Sequence, residues 1–149
     1  VRTAAFVHEI GKRAPEVTTI QQACPALVRL IEAGAMEDRL RRAVRRYAAR
    51  LTRRLDGVRP DAVILGCTHY PLVEPLFAEA LPGIEILSQP EITARSLVAY
   101  LGRHPEFAED EQGPLRFYTT GRAAQVSALA SRFFGRAVAF VPLPEHARL

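Results

Sequence analysis

The stretch DAVILGCTHYPLVEPLF, residues 61 to 77, constrains what this chain can fold into more than any other. Residues 62 to 66 are apolar without alternation, the pattern of a parallel strand covered on both faces, and the run is too short for a helix. Gly66 permits a tight exit, Cys67, Thr68, His69 and Tyr70 form a polar turn, and Pro71 stands where a helix takes its first residue. The apolar spacing from Pro71 to Leu81 predicts that helix. A strand leading through a short turn into a helix is the repeating unit of an α/β sheet, in which ligands bind beyond the carboxyl ends of the strands. A helix N-terminus behind the turn favours an anion there, a carboxylate or the thiolate of Cys67. His69, two residues on, can carry charge or move a proton.

The flanking segments extend the same alternation. Residues 3 to 13 read as a helix stopped by Pro15, and the β-branched VTTIQ, 17 to 21, as a strand. Cys24-Pro25 opens a helix with Leu27, Leu30 and Ile31 on its apolar side, ended by Gly34. The longest helix, 36 to 55, carries Met36, Leu40, Val44, Tyr47, Leu51 and Leu55 at steps of three or four, with eight arginines elsewhere on it. Residues 84 to 88 read as a strand, and 92 to 101 as a helix with Leu97, Val98 and Leu101 inward. The acidic, turn-rich 104 to 114 predicts a surface loop. Strands at 115 to 121 and 137 to 143 flank a helix at 123 to 134, with Phe117, Tyr118, Phe133 and Phe134 as core. The β, α, β, α order predicts a parallel α/β sheet with right-handed crossovers.

With 149 residues, 48% hydrophobic and 24% charged, the chain has the composition of a soluble globular protein, one ordinary domain or parts of two small ones. No apolar run approaches the roughly 20 residues that span a bilayer, and no basic segment followed by an apolar one marks a signal peptide at the start. The first residue is Val1 and the first segment reads as the inside of a helix, so a fragment of a longer protein is expected. Two cysteines, Cys24 and Cys67, cannot build a disulfide framework, and reduced thiols in a cytoplasm are the expected state.

Each candidate has a plain alternative. Cys67 at a strand end could be a small buried hydrophobe, and Thr68 and His69 on the same turn weigh toward function. A metal site is not expected, because Cys-x-His supplies two close ligands and no second pair follows. A hydrolytic nucleophile would need a base placed in space, which adjacency does not give. One glycine is too few for a phosphate-cradling loop. Cys24 reads as packing at a helix start, and Glu32, on spacing alone, as a solvated carboxylate. The net charge of +4 rests almost wholly on arginine. The arginine-rich helix reads as a solvated face without interleaved aromatics, so nucleic acid is not an expected partner.

The segment ILGCTHYPLV, 64 to 73, closely resembles the second cysteine motif of bacterial glutamate racemases, in the aspartate/glutamate racemase superfamily. VHEIGKRAPEV (7 to 17), QQACPALVRLIEAG (21 to 34), LSQPEITARSLVAYLGRHPE (87 to 106) and RFYTTG (116 to 121) follow in the order such enzymes show. The resemblance implies a parallel-sheet three-layer α/β sandwich, here incomplete. Residues 1–92 would be most of its second domain, carrying the Cys67 motif, and 93–149 a C-terminal segment completing the first. It implies cofactor-independent interconversion of L- and D-glutamate, supplying D-glutamate for peptidoglycan, with two thiols on opposite faces of the substrate. In that scheme Cys67 is one of the thiols, Thr68 and His69 contact or support substrate, His69 assists proton transfer and Glu32 assists near the site.

The resemblance further implies no cofactor, a cytoplasmic location away from membranes, and a homodimer for the full-length parent. Cys24 does not match the second thiol. That thiol, in an Asn-Cys turn, and an Asp-Ser substrate loop belong to a preceding half that the chain is expected to lack, so the chain alone is expected to be inactive. Ser88-Gln89-Pro90 stands where many relatives carry Asp or Gly. Two other classes stay open: a non-catalytic module that binds an acidic partner through its basic helix, and a related racemase or decarboxylase acting on another acid such as aspartate.

Overall fold

The computed structural model describes residues 4–107 and 114–144. The expected loop at 104 to 114 therefore falls largely outside the described residues; its start, Pro105–Phe107, is a 3-10 turn. The chain divides into two compact units, residues 1–100 and 101–149.

The first unit contains α1 (Ala5–Arg13), α2 (Pro25–Glu32), α3 (Glu37–Arg54), β1 (Ala62–Ile64), α4 (Glu74–Ala80) and β2 (Glu85–Leu87). Strands β1 and β2 pair in parallel, Ala62 beside Glu85 and Ile64 beside Leu87. The α/β class with parallel strands is thus the one read from the sequence. The core lies where α3 meets α2 and α4: Leu27, Ile31, Val44, Tyr47, Leu76 and Phe77 are buried there, Leu27 and Val44 completely. The Arg-rich faces of α3 look outward, as expected of a helix packed by its other side, with Arg41 and Arg45 both reaching Glu79 of α4 at 3.0 and 2.6 Å.

α5 (Gln89–Arg103) is a continuous helix, so residues 92 and 93, where the sequence divides the chain, lie within one element. The second unit, described by itself, holds β3 (Phe117–Thr119), α6 (Ala123–Phe134) and β4 (Phe140–Pro142), with β3 and β4 parallel and Phe117 beside Phe140.

Several expectations need correction. Residues 17 to 21 form no strand. Val17 and Ile20 are exposed and no neighbour offers a ladder among the described residues, and β-branched composition cannot make a strand alone. The helix expected from Pro71 is split into a 3-10 turn, Tyr70–Val73, and α4, because Pro75 lacks the N–H that a continuous helix would donate to Pro71 and its ring would crowd that carbonyl. Ile64 is 44% exposed rather than covered on both faces, since β1 has one paired neighbour in a two-stranded sheet. Leu97, Val98 and Leu101 are not inward: α5 buries no residue. Tyr118 and Phe134 are exposed, and Phe117 and Phe133 only half-buried. Met36 is exposed at the N-cap of α3 and does not join its apolar stripe.

Candidate active site

The Cys67 turn begins where β1 ends. The Gly66 N–H folds back to the Ile64 carbonyl at 3.0 Å and the Tyr70 N–H closes on the Cys67 carbonyl at 3.1 Å. Gly66 is not in the left-handed region, and what favours glycine there is its neighbour. A Cβ there would stand 3.1 Å from the ring of Phe6, which brings α1 against the strand exit.

With α4 starting only at Glu74, the α-helix N-terminus expected directly behind Cys67 lies further along the chain. The turn itself supplies donors instead. Among the described residues, the backbone N–H groups of Cys67, Thr68 and His69 have no acceptor. Successive free amides in a turn can donate together to an anionic oxygen. The Cys67 thiol is half-buried and, among the described residues, makes no hydrogen bond.

His69 reaches away from the turn to α2. Its Nε2 lies 2.9 Å from Oε1 of Glu32, the last residue of that helix. A carboxylate only accepts, so Nε2 carries the proton. With the ring's single proton on Nε2, Nδ1 is an acceptor for the Thr68 hydroxyl, 3.4 Å away. Thr68, His69 and Glu32 thus form one chain of contacts, and Glu32 is a partnered carboxylate rather than a merely solvated one.

The position of Glu32 follows from how α2 stops. The Gly34 N–H bonds to the Ile31 carbonyl and the Ala35 N–H to that of Leu30, with Gly34 at φ 64°, the Schellman arrangement that glycine favours. A carboxylate at a helix C-terminus faces unpaired carbonyls, an unfavourable placement that a donor such as His69 offsets.

The other end of α2 meets the same turn. Cys24 is its N-cap and its thiol offers no cap bond, pointing instead to the Gln22 carbonyl at 3.8 Å. The Ala26 N–H is taken by the hydroxyl of buried Tyr47 at 3.1 Å, and the Tyr70 hydroxyl donates to the Cys24 carbonyl at 3.4 Å. Burial pushes the Cys24 thiol up to about 11, against a lowering contribution from Tyr70 and with a further rise from the Cys67 charge. Burial likewise raises the Tyr70 phenol, as do the two nearby cysteines. Cys24 is therefore a protonated thiol at neutral pH, the packing role read from its context.

The sequence places Tyr47 on an apolar helix face and Tyr70 in the turn, and neither position reveals that its hydroxyl reaches the start of α2. Tyr70 was visible as the residue after His69, but its reach to α2 spans 46 positions and has no local pattern. Near the turn, a cleft of about 400 Å³ lies between Pro71, Glu74, residues 85 to 88 and the start of α5; Cys67, His69 and Glu32 do not line it. Among the described residues no cluster of three or more His, Cys, Asp or Glu is placed to hold a metal, and no helix is long and apolar enough to cross a membrane.

No family profile matches the chain. The glutamate racemase of Phenylobacterium zucineum is 42% identical over 142 residues, covering 95% of this chain and 50% of the relative. That of Cereibacter sphaeroides is 43% identical over 142 residues, covering 94% of this chain and 51% of its own length. Among solved structures, glutamate racemase isoform RacE1 from Bacillus anthracis shares the fold with a TM-score of 0.83 at 26% identity, over 99% of this chain and 55% of that one. A glutamate racemase from Francisella tularensis, in complex with D-glutamate, does so with a TM-score of 0.78 at 20% identity, over 96% of this chain and 53% of that one. The chain spans about half the length of the curated relatives it matches. With that sequence identity over nearly all of its residues and the same fold, this chain is similar to about half of a glutamate racemase.

Proposed function

We propose that the chain is the C-terminal portion of a glutamate racemase and contributes one of the two thiols that exchange the α-proton of glutamate. The single observation that carries this reading is the Cys67 turn: a half-buried thiol beside three unpartnered backbone amides, flanked by a Thr68–His69–Glu32 chain. The amides donate to the substrate carboxylate, onto which negative charge spreads as the α-proton leaves. Cys67 as thiolate takes that proton on one face, becoming a thiol, while a thiol from the other half of the enzyme delivers a proton to the opposite face; the reverse reaction exchanges their roles. Thr68 binds substrate, and His69, its tautomer fixed by Glu32, assists proton transfer at Cys67. The scheme requires no cofactor.

In this reading residues 1–92 belong to the second domain of the parent and 93–149 return to the first. The parent is a cytoplasmic homodimer that supplies D-glutamate for peptidoglycan, and the chain alone does not racemise. The test joins the chain to the half of its relatives that it does not span and follows α-proton exchange from each enantiomer in deuterated water. The expected result is exchange from both, reduced by about 10²–10⁴-fold in Cys67→Ala, the size of a general acid–base contribution. Undiminished exchange in Cys67→Ala overturns the assignment.

A further inference from the structure

His69 and Tyr70 are consecutive, yet their side chains reach opposite ends of one helix. His69 meets Glu32 at the last residue of α2, and Tyr70 donates to the carbonyl of Cys24 at the N-cap. Cys24 and Glu32 are eight residues apart, about 12 Å along the helix axis. Leu27 and Ile31 already pack α2 against α3, and the two contacts add to this by tying both ends of the helix to the same turn.

The Tyr70 anchor is itself fixed, its ring lying 5.8 Å from that of Phe77 on α4. The first turn of α2 has no side-chain cap of its own and takes contacts from outside: its Ala26 N–H is held by Tyr47, and its N-cap carbonyl, which accepts the Leu27 N–H at 3.1 Å, also accepts from Tyr70. We infer that Tyr70 is a positioning residue, whose hydroxyl holds the first turn of α2 to the Cys67 turn and so sets the separation at which Glu32 meets His69. This rests on the racemase reading above. Over the length of α2 a tilt of about 5° displaces Glu32 by about 1 Å, and misplacements of that size cost up to about a hundredfold in rate.

The test uses the enzyme completed with the other half. Tyr70→Phe keeps the ring against Phe77 and removes only the hydroxyl. The expected result is a fall in kcat of about tenfold with KM changed by less than about twofold, since an arrangement needed at the proton-transfer step is lost and substrate binding is not. In a Glu32→Gln background the same substitution is expected to cost less than about twofold further, because residues acting through one contact are not additive. A bystander tyrosine would give equal factors in both backgrounds, and that result overturns the inference. So does an unchanged kcat in Tyr70→Phe, or in Glu32→Gln alone. These failures leave exchange by the unsubstituted enzyme intact, whereas absence of exchange there overturns the racemase reading and this inference with it. Tyr70→Leu, which also removes the ring, is expected to lower the melting temperature as well; Tyr70→Phe is expected to leave it near that of the parent.

Discussion

The two units are built from the same alternation of strand and helix, yet they are held together by different forces. Among the described residues, twelve of the thirteen buried apolar side chains lie in the first unit and one, Val138, in the second. The first closes on an apolar core between α2, α3 and α4. In the second, hydroxyls on α6 bind the strand backbone: Ser131 Oγ both donates to the Val138 carbonyl at 3.2 Å and accepts its N–H at 3.0 Å, while Ser127 Oγ accepts from Phe140 at 2.9 Å. Phe117 adds ring contacts to Phe134 and Phe140, but Phe134 remains 52% exposed. Local pattern decides which elements form, while burial depends on having a surface to pack against.

The largest effect that would sharpen this contrast comes from the core. Leu27→Ala is expected to lower the stability of the first unit by about 2–5 kcal/mol, the range for a fully buried leucine whose cavity is only partly filled. Phe134→Ala, removing a larger but half-exposed side chain, is expected to cost about 1 kcal/mol. Urea unfolding of the 149-residue chain, with probes in each unit, measures both. Equal losses would break the comparison.

A smaller effect tests the second unit. Ser131→Ala removes the partner of both the N–H and the carbonyl of Val138, the buried residue of that unit, and about 1–2 kcal/mol of local stability should go with it. Amide hydrogen exchange at Val138 and Phe140 reads this directly. If their protection is unchanged, the hydroxyls do not hold the strand to α6 and the contrast between the units fails.

The same difference explains what could be read in the sequence. α3 was legible because its apolar residues recur at helical spacing beside eight arginines, and the pattern carries both the helix and its buried face. The strands were legible as centres, though each is shorter than its apolar run because pairing stops where the neighbour stops. The Cys67 turn was legible too, since Gly66, the polar residues and Pro71 each have a local meaning. What could not be read were long-range matters: that among the described residues nothing covers Leu97 and Val98 and no strand pairs with VTTIQ, and that Glu32 and Tyr70 each meet a residue more than thirty positions away. Pro75 was an exception, a local signal within 71 to 81 whose helix-breaking effect went unused.

An effect of similar size separates burial from hydrogen bonding within the first unit. The Cys24 thiol is raised from 9.0 to about 11, chiefly by burial. A group whose folded pKa lies above its unfolded one holds more protons when folded, so its contribution is complete below pH 9 and is lost as pH rises from 9 to 11. With solvent screening allowed for, the loss is expected to be about 1–2 kcal/mol across that window. Cys24→Ala, which keeps a small apolar group at the N-cap, is expected to flatten the alkaline slope while costing little at pH 7. Making the comparison in a Cys67→Ala background removes the other thiol, whose charge also raises Cys24. The buried Tyr70 phenol contributes its own slope above pH 10, so the deciding window is pH 9 to 10, and a slope there that survives Cys24→Ala would mean that the loss does not arise from burial of that thiol. The tighter packing assigned to the first unit would then have to rest on its apolar side chains alone.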